Sequence, residues 1–173
     1  TAHISDGAAF AEAIKLCWLP FVMFQTLTWM LYRNNRKLRP LVNILYVCLG
    51  NICRSPMAEF MLRDAVAGRQ SLSGQPIVVH GAGVAAEVGS PATREVREVL
   101  AEAGIAGDDH VARQLTDQML EQADLVLVAT EDVRRRVLRY ASAEASKVQL
   151  MLGDQDLSDP WGMPIDDYRE TFE

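Results

Sequence analysis

Cysteine is scarce in this chain, with three in 173 residues: Cys17, Cys48 and Cys53. Three thiols do not build a disulfide framework, and no Cys/His spacing has the form of a zinc site. Positive charge is also short, 17 Lys and Arg against 23 Asp and Glu; the net −6 argues against wholesale nucleic-acid binding. Internal repeats and low-complexity segments are absent. The apolar run near the start does not read as a secretory signal, because it has neither a basic lead nor a small-residue cleavage site. What is present is 49% hydrophobic, ample for one packed domain plus an appendage. A reactive thiol among so few cysteines fits a reducing, cytosolic setting, with the membrane surface open as an alternative.

Residues 1–40 read as that appendage. From Leu16 to Tyr32 no charged residue occurs, and Arg33, Arg36, Lys37 and Arg39 follow. The run is slightly short for a membrane span and is interrupted by Pro20 and Gln25, yet Trp18 and Trp29 lie near its ends as interfacial aromatics do. Three readings stay open: an apolar helical arm packing on the domain or on a second copy, a membrane anchor, or a disordered lead. Pro40 marks the boundary, and residues 41–173 form the main domain.

The informative stretch is VCLGNICRSP, Val47 to Pro56. Ile44 to Val47 read as a buried strand. Cys48 follows at once, five residues separate it from Arg54, and Ser55-Pro56 have the form of an N-cap and first helical residue. The inward N–H groups of such a loop and helix start bind a tetrahedral oxyanion, so Leu49, Gly50, Asn51, Ile52, Cys53, Arg54 and Ser55 are the candidate phosphate cradle. Arg54 can hold two oxygens in a planar fork. The same positive field favours a Cys48 thiolate, placed for in-line attack on phosphorus. Gly50 and Asn51 suit a positive-φ turn. Ser55 is also placed to donate to the sulfur as leaving group.

From Val42 strand and helix patterns alternate, the mark of a parallel sheet covered by helices on both faces. A helix is expected from Pro56 to about Ala67, with Met57, Phe60, Met61 and Ala65 inward and Glu59 outward. Ile77–Val79 is a second strand, and Gly81, Ala82, Gly83 and Gly89 mark a loop. Ser90-Pro91 open a helix to about Ala103 that Gly104 stops. Thr116 and Thr130 cap two more helices. Leu125–Val128 and Val148–Leu152 are the remaining strands. Ligands in such sheets sit beyond the carboxyl ends of the strands, where Cys48 lies.

VCLGNICRSPMAE, with HVARQL (His110–Leu115), ADLVLV (Ala123–Val128) and SDPWG (Ser158–Gly162) in the same order, resembles the low-molecular-weight protein tyrosine phosphatases over about Val42 to Glu173. The resemblance implies a three-layer α/β fold, a four-stranded parallel sheet flanked by helices. It also implies hydrolysis of phosphotyrosine in proteins through a cysteinyl-phosphate, with no metal or organic cofactor. Cys48 would be the nucleophile, Arg54 the phosphate holder, and Asp159, before Pro160, the general acid and then base. Trp161 with Leu49 would wall the substrate cleft. Asn51, Ser55 and His110 would brace the loop, and Cys53 is a redox candidate able to form a disulfide with Cys48.

The chain departs from the family at three points. Gly81 stands where a bracing serine is usual, Ala129-Thr130 replace Met-Asp, and DDYRETFE resembles only the first turns of the family's last helix, so that helix is expected to be incomplete. Arg134 to Arg136 read as a solvated helix face. Two other functions use the same loop: an arsenate reductase, for which no relay pair of thiols is evident, and a non-catalytic phosphotyrosine or anion binder.

Overall fold

The computed structural model describes residues 41–70 and 74–173. The expectations for residues 1–40 lie outside the described residues. Four parallel strands form one sheet in the order β2-β1-β3-β4: β1 Val42–Cys48, β2 Ile77–Gly83, β3 Leu125–Val128 and β4 Val148–Leu150. β1 is paired on both sides, with Ile44 opposite both Val79 and Leu125 and Cys48 opposite Gly83. A strand enclosed in this way needs a nearly continuous apolar sequence, which VNILYVC supplies.

The sheet has two cores. On one side Leu45, Val47, Val126 and Val128 meet Leu120 of α3 (Asp117–Gln122) and Val133 and Val137 of α4 (Glu131–Val137). On the other, α1 (Arg54–Ala65) lies against β1 and β2. Its Met57 and Phe60 pack with Val96, Val99 and Leu100 of α2 (Arg94–Glu102) and with Tyr168 of α5 (Ile165–Phe172). Each of these fully buried apolar side chains is worth about 2 kcal/mol of transfer free energy. This is the expected three-layer α/β fold.

Several local expectations are corrected. Ser55 is not an N-cap: α1 begins at Arg54, Cys53 stands at the cap position, and the Ser55 hydroxyl is engaged by Cys48 and Asn51. The second helix starts at Arg94 rather than at Ser90-Pro91, because Thr93 caps it by accepting from Val96 N–H at 3.3 Å. Gly81, Ala82 and Gly83 are not loop but the end of β2. Glycine is required at 83 by close approach, since a Cβ there would lie 2.6 Å from the Leu49 carbonyl oxygen. On α1, Ala65 is exposed, whereas Glu59 is buried. Gly104 does stop α2, at φ 76°, and Thr116 and Thr130 cap α3 and α4.

Candidate active site

The loop after β1 is shaped by where its carbonyls go. Cys48 O accepts from Val84 N–H (3.1 Å), Leu49 O from Ala85 (2.9 Å), Gly50 O from Glu87 (3.0 Å), Ile52 O from Thr93 (3.0 Å) and Cys53 O from Met57 (3.2 Å). Asn51 O accepts from His110 Nε2 at 2.7 Å. In a planar trans peptide the N–H points opposite to the C=O. Six carbonyls turned outward therefore turn the N–H groups of Leu49 to Arg54 inward, a concavity built for an anion. The reversal needs one left-handed residue, and this is Asn51 at φ 55°; Gly50, expected to share that role, has no positive φ.

Cys48 Sγ, at the base of the loop, is buried. It receives the Asn51 N–H at 3.3 Å and lies 3.0 Å from Ser55 Oγ. The direction of that second bond follows from its neighbours. Arg113 N–H can only donate, so the Asn51 atom facing it at 2.9 Å is Oδ1. Asn51 Nδ2 then donates to Ser55 Oγ at 2.8 Å, and the one hydroxyl proton of Ser55 is directed to the sulfur. Two donors, the Asn51 N–H and the Ser55 hydroxyl, thus converge on one sulfur.

Arg54 is 5% exposed. Its Nη1 donates to Leu157 O at 3.2 Å and its Nη2 pairs with Asp159 Oδ2 at 2.5 Å. Its Nε is buried without a hydrogen-bond partner, an unused donor among the inward N–H groups. Asp159 is 44% exposed and accepts the Trp161 N–H on its other oxygen at 3.3 Å. The loop bearing Asp159 is tied to the sheet by Leu157 N–H to Ala129 O (2.8 Å), and Asp156 accepts from Glu131 N–H (2.7 Å). Ala129-Thr130 thus anchor this loop and cap α4. Trp161 and Leu49 are exposed.

His110 keeps its pKa below the ordinary 6.5, chiefly through burial and further through Arg113 and Arg63, against the raising effect of its bond to Asn51. Its Nε2 faces a carbonyl and so carries the proton; it braces the loop as a neutral donor. Burial pushes the Cys53 thiol up to about 11, and its Sγ faces Thr93 Oγ1 at 3.9 Å. Among the described residues no cluster of three His, Cys, Asp or Glu is set to hold a metal ion.

The structure therefore brings together Cys48, Asn51, Arg54, Ser55, His110 and Asp159, with Leu49 and Trp161 exposed outside. Sequence reading missed Glu59 and Arg113. Glu59, expected on the helix surface, is 1% exposed and pairs with Arg63 and Arg113. HVARQL, which carries Arg113, was the available signal. Arg134 to Arg136 do form a charged outer face, paired with Glu131 and Asp132.

A buried cysteine ringed by inward N–H groups, with an arginine and a carboxylate beside it on a parallel α/β sheet, defines the cysteine-based phosphatase class. The family model for low molecular weight phosphotyrosine protein phosphatase matches residues 43–173, and the chain belongs to that family. A probable low molecular weight protein-tyrosine-phosphatase, EpsP of Ralstonia nicotianae, is 37% identical over 133 residues, covering 75% of this chain and 86% of that protein. A protein-arginine-phosphatase of Bacillus subtilis is 36% identical over 135 residues, covering 75% and 87%. The crystal structure of the low molecular weight protein tyrosine phosphatase from T. tengcongensis superposes with TM-score 0.69 at 35% identity, covering 76% of this chain and 90% of that one.

Proposed function

We propose that this chain hydrolyses phosphotyrosine in proteins through a cysteinyl-phosphate, with Cys48 as nucleophile, Arg54 as phosphate holder and Asp159 as general acid and base. The observation that carries the reading is the loop whose six carbonyls, Cys48 to Cys53, all accept from donors outside it. Its inward N–H groups and Arg54 would bind the three non-bridging oxygens, and Cys48 Sγ would attack from below as the ester oxygen leaves on the opposite side. Asp159 would protonate that oxygen. A phosphate dianion entering the loop takes over Arg54, which releases the Asp159 carboxyl to face the leaving oxygen. In the second half Asp159 takes a proton from water, which attacks phosphorus, while the O–H of Ser55 stabilises the departing sulfur.

Trp161 and Leu49 would flank the ring of the substrate and favour a deep, flat phosphoester over a short one. Cys53 stays a neutral thiol near pH 7, so a protective disulfide would begin from Cys48. A second reading, phosphoarginine as substrate, is favoured by the similarity to a protein-arginine-phosphatase. The arsenate reductase reading is not favoured: the relatives are named phosphatases, and among the described residues Cys48 and Cys53 are the only cysteines.

The deciding experiment compares turnover of a phosphotyrosine and a phosphoarginine peptide. Faster phosphotyrosine hydrolysis, abolished in Cys48→Ser, is expected; faster phosphoarginine hydrolysis would move the assignment, and no hydrolysis of either would leave an anion binder. Among the described residues no helix is long and apolar enough to cross a membrane. For residues 1–40 association is proposed, with a membrane surface or a second copy, on the strength of the uncharged run Leu16–Tyr32. Residues 1–40 fused to a soluble reporter should either float with vesicles or self-associate; a monomeric, vesicle-free fusion refutes this.

A further inference from the structure

Glu59 is a buried charge that the proposed chemistry does not use. It projects from α1, and its Oε1 pairs with Arg63 Nη2 at 2.5 Å and Arg113 Nη2 at 3.5 Å. Oε2 is buried without a hydrogen-bond partner. Both arginines are tied to β2 as well: Arg63 donates to Val79 O at 3.2 and 3.1 Å, and Arg113 Nε to Gly81 O at 2.9 Å. Burial raises the proton affinity of Glu59, offset by Arg63 and Arg113, while Asp109 acts against them. A carboxylate placed this way costs desolvation energy, so its position calls for a role beyond packing.

Its neighbour supplies one. A Cβ on residue 81 would overlap Glu59 Oε2 and come within 2.9 Å of Asn51 Nδ2. Glu59 and the Asn51 amide therefore border one small space that glycine leaves to them. If the amide were turned over, Oδ1 would face the Glu59 carboxylate and Nδ2 would face the Arg113 N–H. Both contacts are repulsive, so Glu59 and Arg113 together select one orientation. That orientation lets Asn51 Nδ2 donate to Ser55 and directs the Ser55 proton to Cys48.

Resting on the phosphatase reading above, we propose that Glu59 is a positioning residue: with Arg113 it fixes the Asn51 amide and so the direction in which Ser55 presents its proton to Cys48. The six outward carbonyls that hold the anion cradle do not involve the Glu59 side chain. Loss of Glu59 should therefore lower turnover while leaving anion affinity nearly intact.

The test is Glu59→Gln in the full chain, assayed with p-nitrophenyl phosphate and with inorganic phosphate as inhibitor. A fall in kcat on the order of tenfold, about one hydrogen bond to a charged group, is expected with the phosphate Ki moving less than about twofold. Gly81→Ala, which pushes on the same carboxylate from β2, should give the same split and serves if Glu59→Gln does not fold; Glu59→Asp should retain part of the rate. Unchanged kcat in both variants, or equal losses in kcat and phosphate affinity, would overturn the proposal. Alkylation of Cys48 by iodoacetamide at pH 7, followed by peptide mapping, reads the same donation without turnover. It should slow on the order of threefold in Glu59→Gln, because Ser55 no longer directs its donor to the sulfur. If the wild-type chain hydrolyses no phosphoester, the phosphatase reading fails while the alkylation still decides the role of Glu59: an unchanged rate sinks it.

Discussion

Replacing Asp159 by Asn separates two jobs that the structure gives one carboxylate. In the free enzyme Asp159 holds Arg54 Nη2 at 2.5 Å; in the reaction it would supply a proton to the leaving oxygen. An amide cannot supply that proton, and a positioned general acid contributes about 10²–10⁴-fold. Turnover of phenyl phosphate, whose leaving group needs protonation, should fall by that factor, and turnover of p-nitrophenyl phosphate, with a better leaving group, by less. Anion binding should move the other way. Arg54 is 6% exposed in its side chain but Asp159 is 44%, so the pair is discounted to at most about 1 kcal/mol by solvent screening. Freeing Arg54 from it should tighten phosphate binding by up to about fivefold. Steady-state kinetics with both esters and phosphate inhibition measure all three quantities. A variant that retains kcat within about threefold on phenyl phosphate, or that binds phosphate more weakly, would refute the reasoning.

Other outcomes follow from the same geometry. Ser55→Ala removes the hydroxyl 3.0 Å from Cys48 Sγ and should cost about ten- to a hundredfold in kcat, the worth of a hydrogen bond to a charged group, with the phosphate Ki little changed; steady-state kinetics check this. Trp161→Ala should raise KM for aryl phosphates by about two- to tenfold, the range of an aromatic contact, and leave phosphate inhibition alone. His110 has a depressed pKa in the fold, so below pH 6.5 the unfolded chain binds the proton more readily and stability falls as pH drops through that range. His80 is shifted the same way and adds to it. His110→Asn, which keeps an N–H donor for Asn51 O, should flatten the loss of Tm between pH 7 and 5; an unchanged slope would contradict this account of His110.

The chemistry of this chain was more legible in its sequence than the scaffolding around it. Cys48 and Arg54 could be read because the expected reaction restricts residue type and spacing, while Asp159 followed from resemblance and is paired with Arg54 in the structure. His110 and Asn51 followed from resemblance, and the structure gives the reason: one donates to the other's carbonyl at 2.7 Å. Glu59 could not be read. A glutamate in a helix looks solvated, and its burial depends on Arg113, which is brought beside it only by the fold. Gly81 to Gly83 looked like a loop because glycines usually mark one, whereas here they let β2 continue beneath the loop and beside Glu59. The serine missing at position 81 leaves Asn51 held all the same, by Arg113 and Ser55.

The central claim is that phosphate passes through Cys48. Rapid quenching of the full chain with a phosphorus-labelled phosphotyrosine peptide, followed by peptide mapping, tests it most directly. The account predicts label on the peptide containing Cys48, absent when Cys48 is replaced by alanine and appearing more slowly in Asp159→Asn, where protonation of the leaving oxygen is lost. Hydrolysis without covalent label on Cys48, or label that survives its replacement, would contradict it.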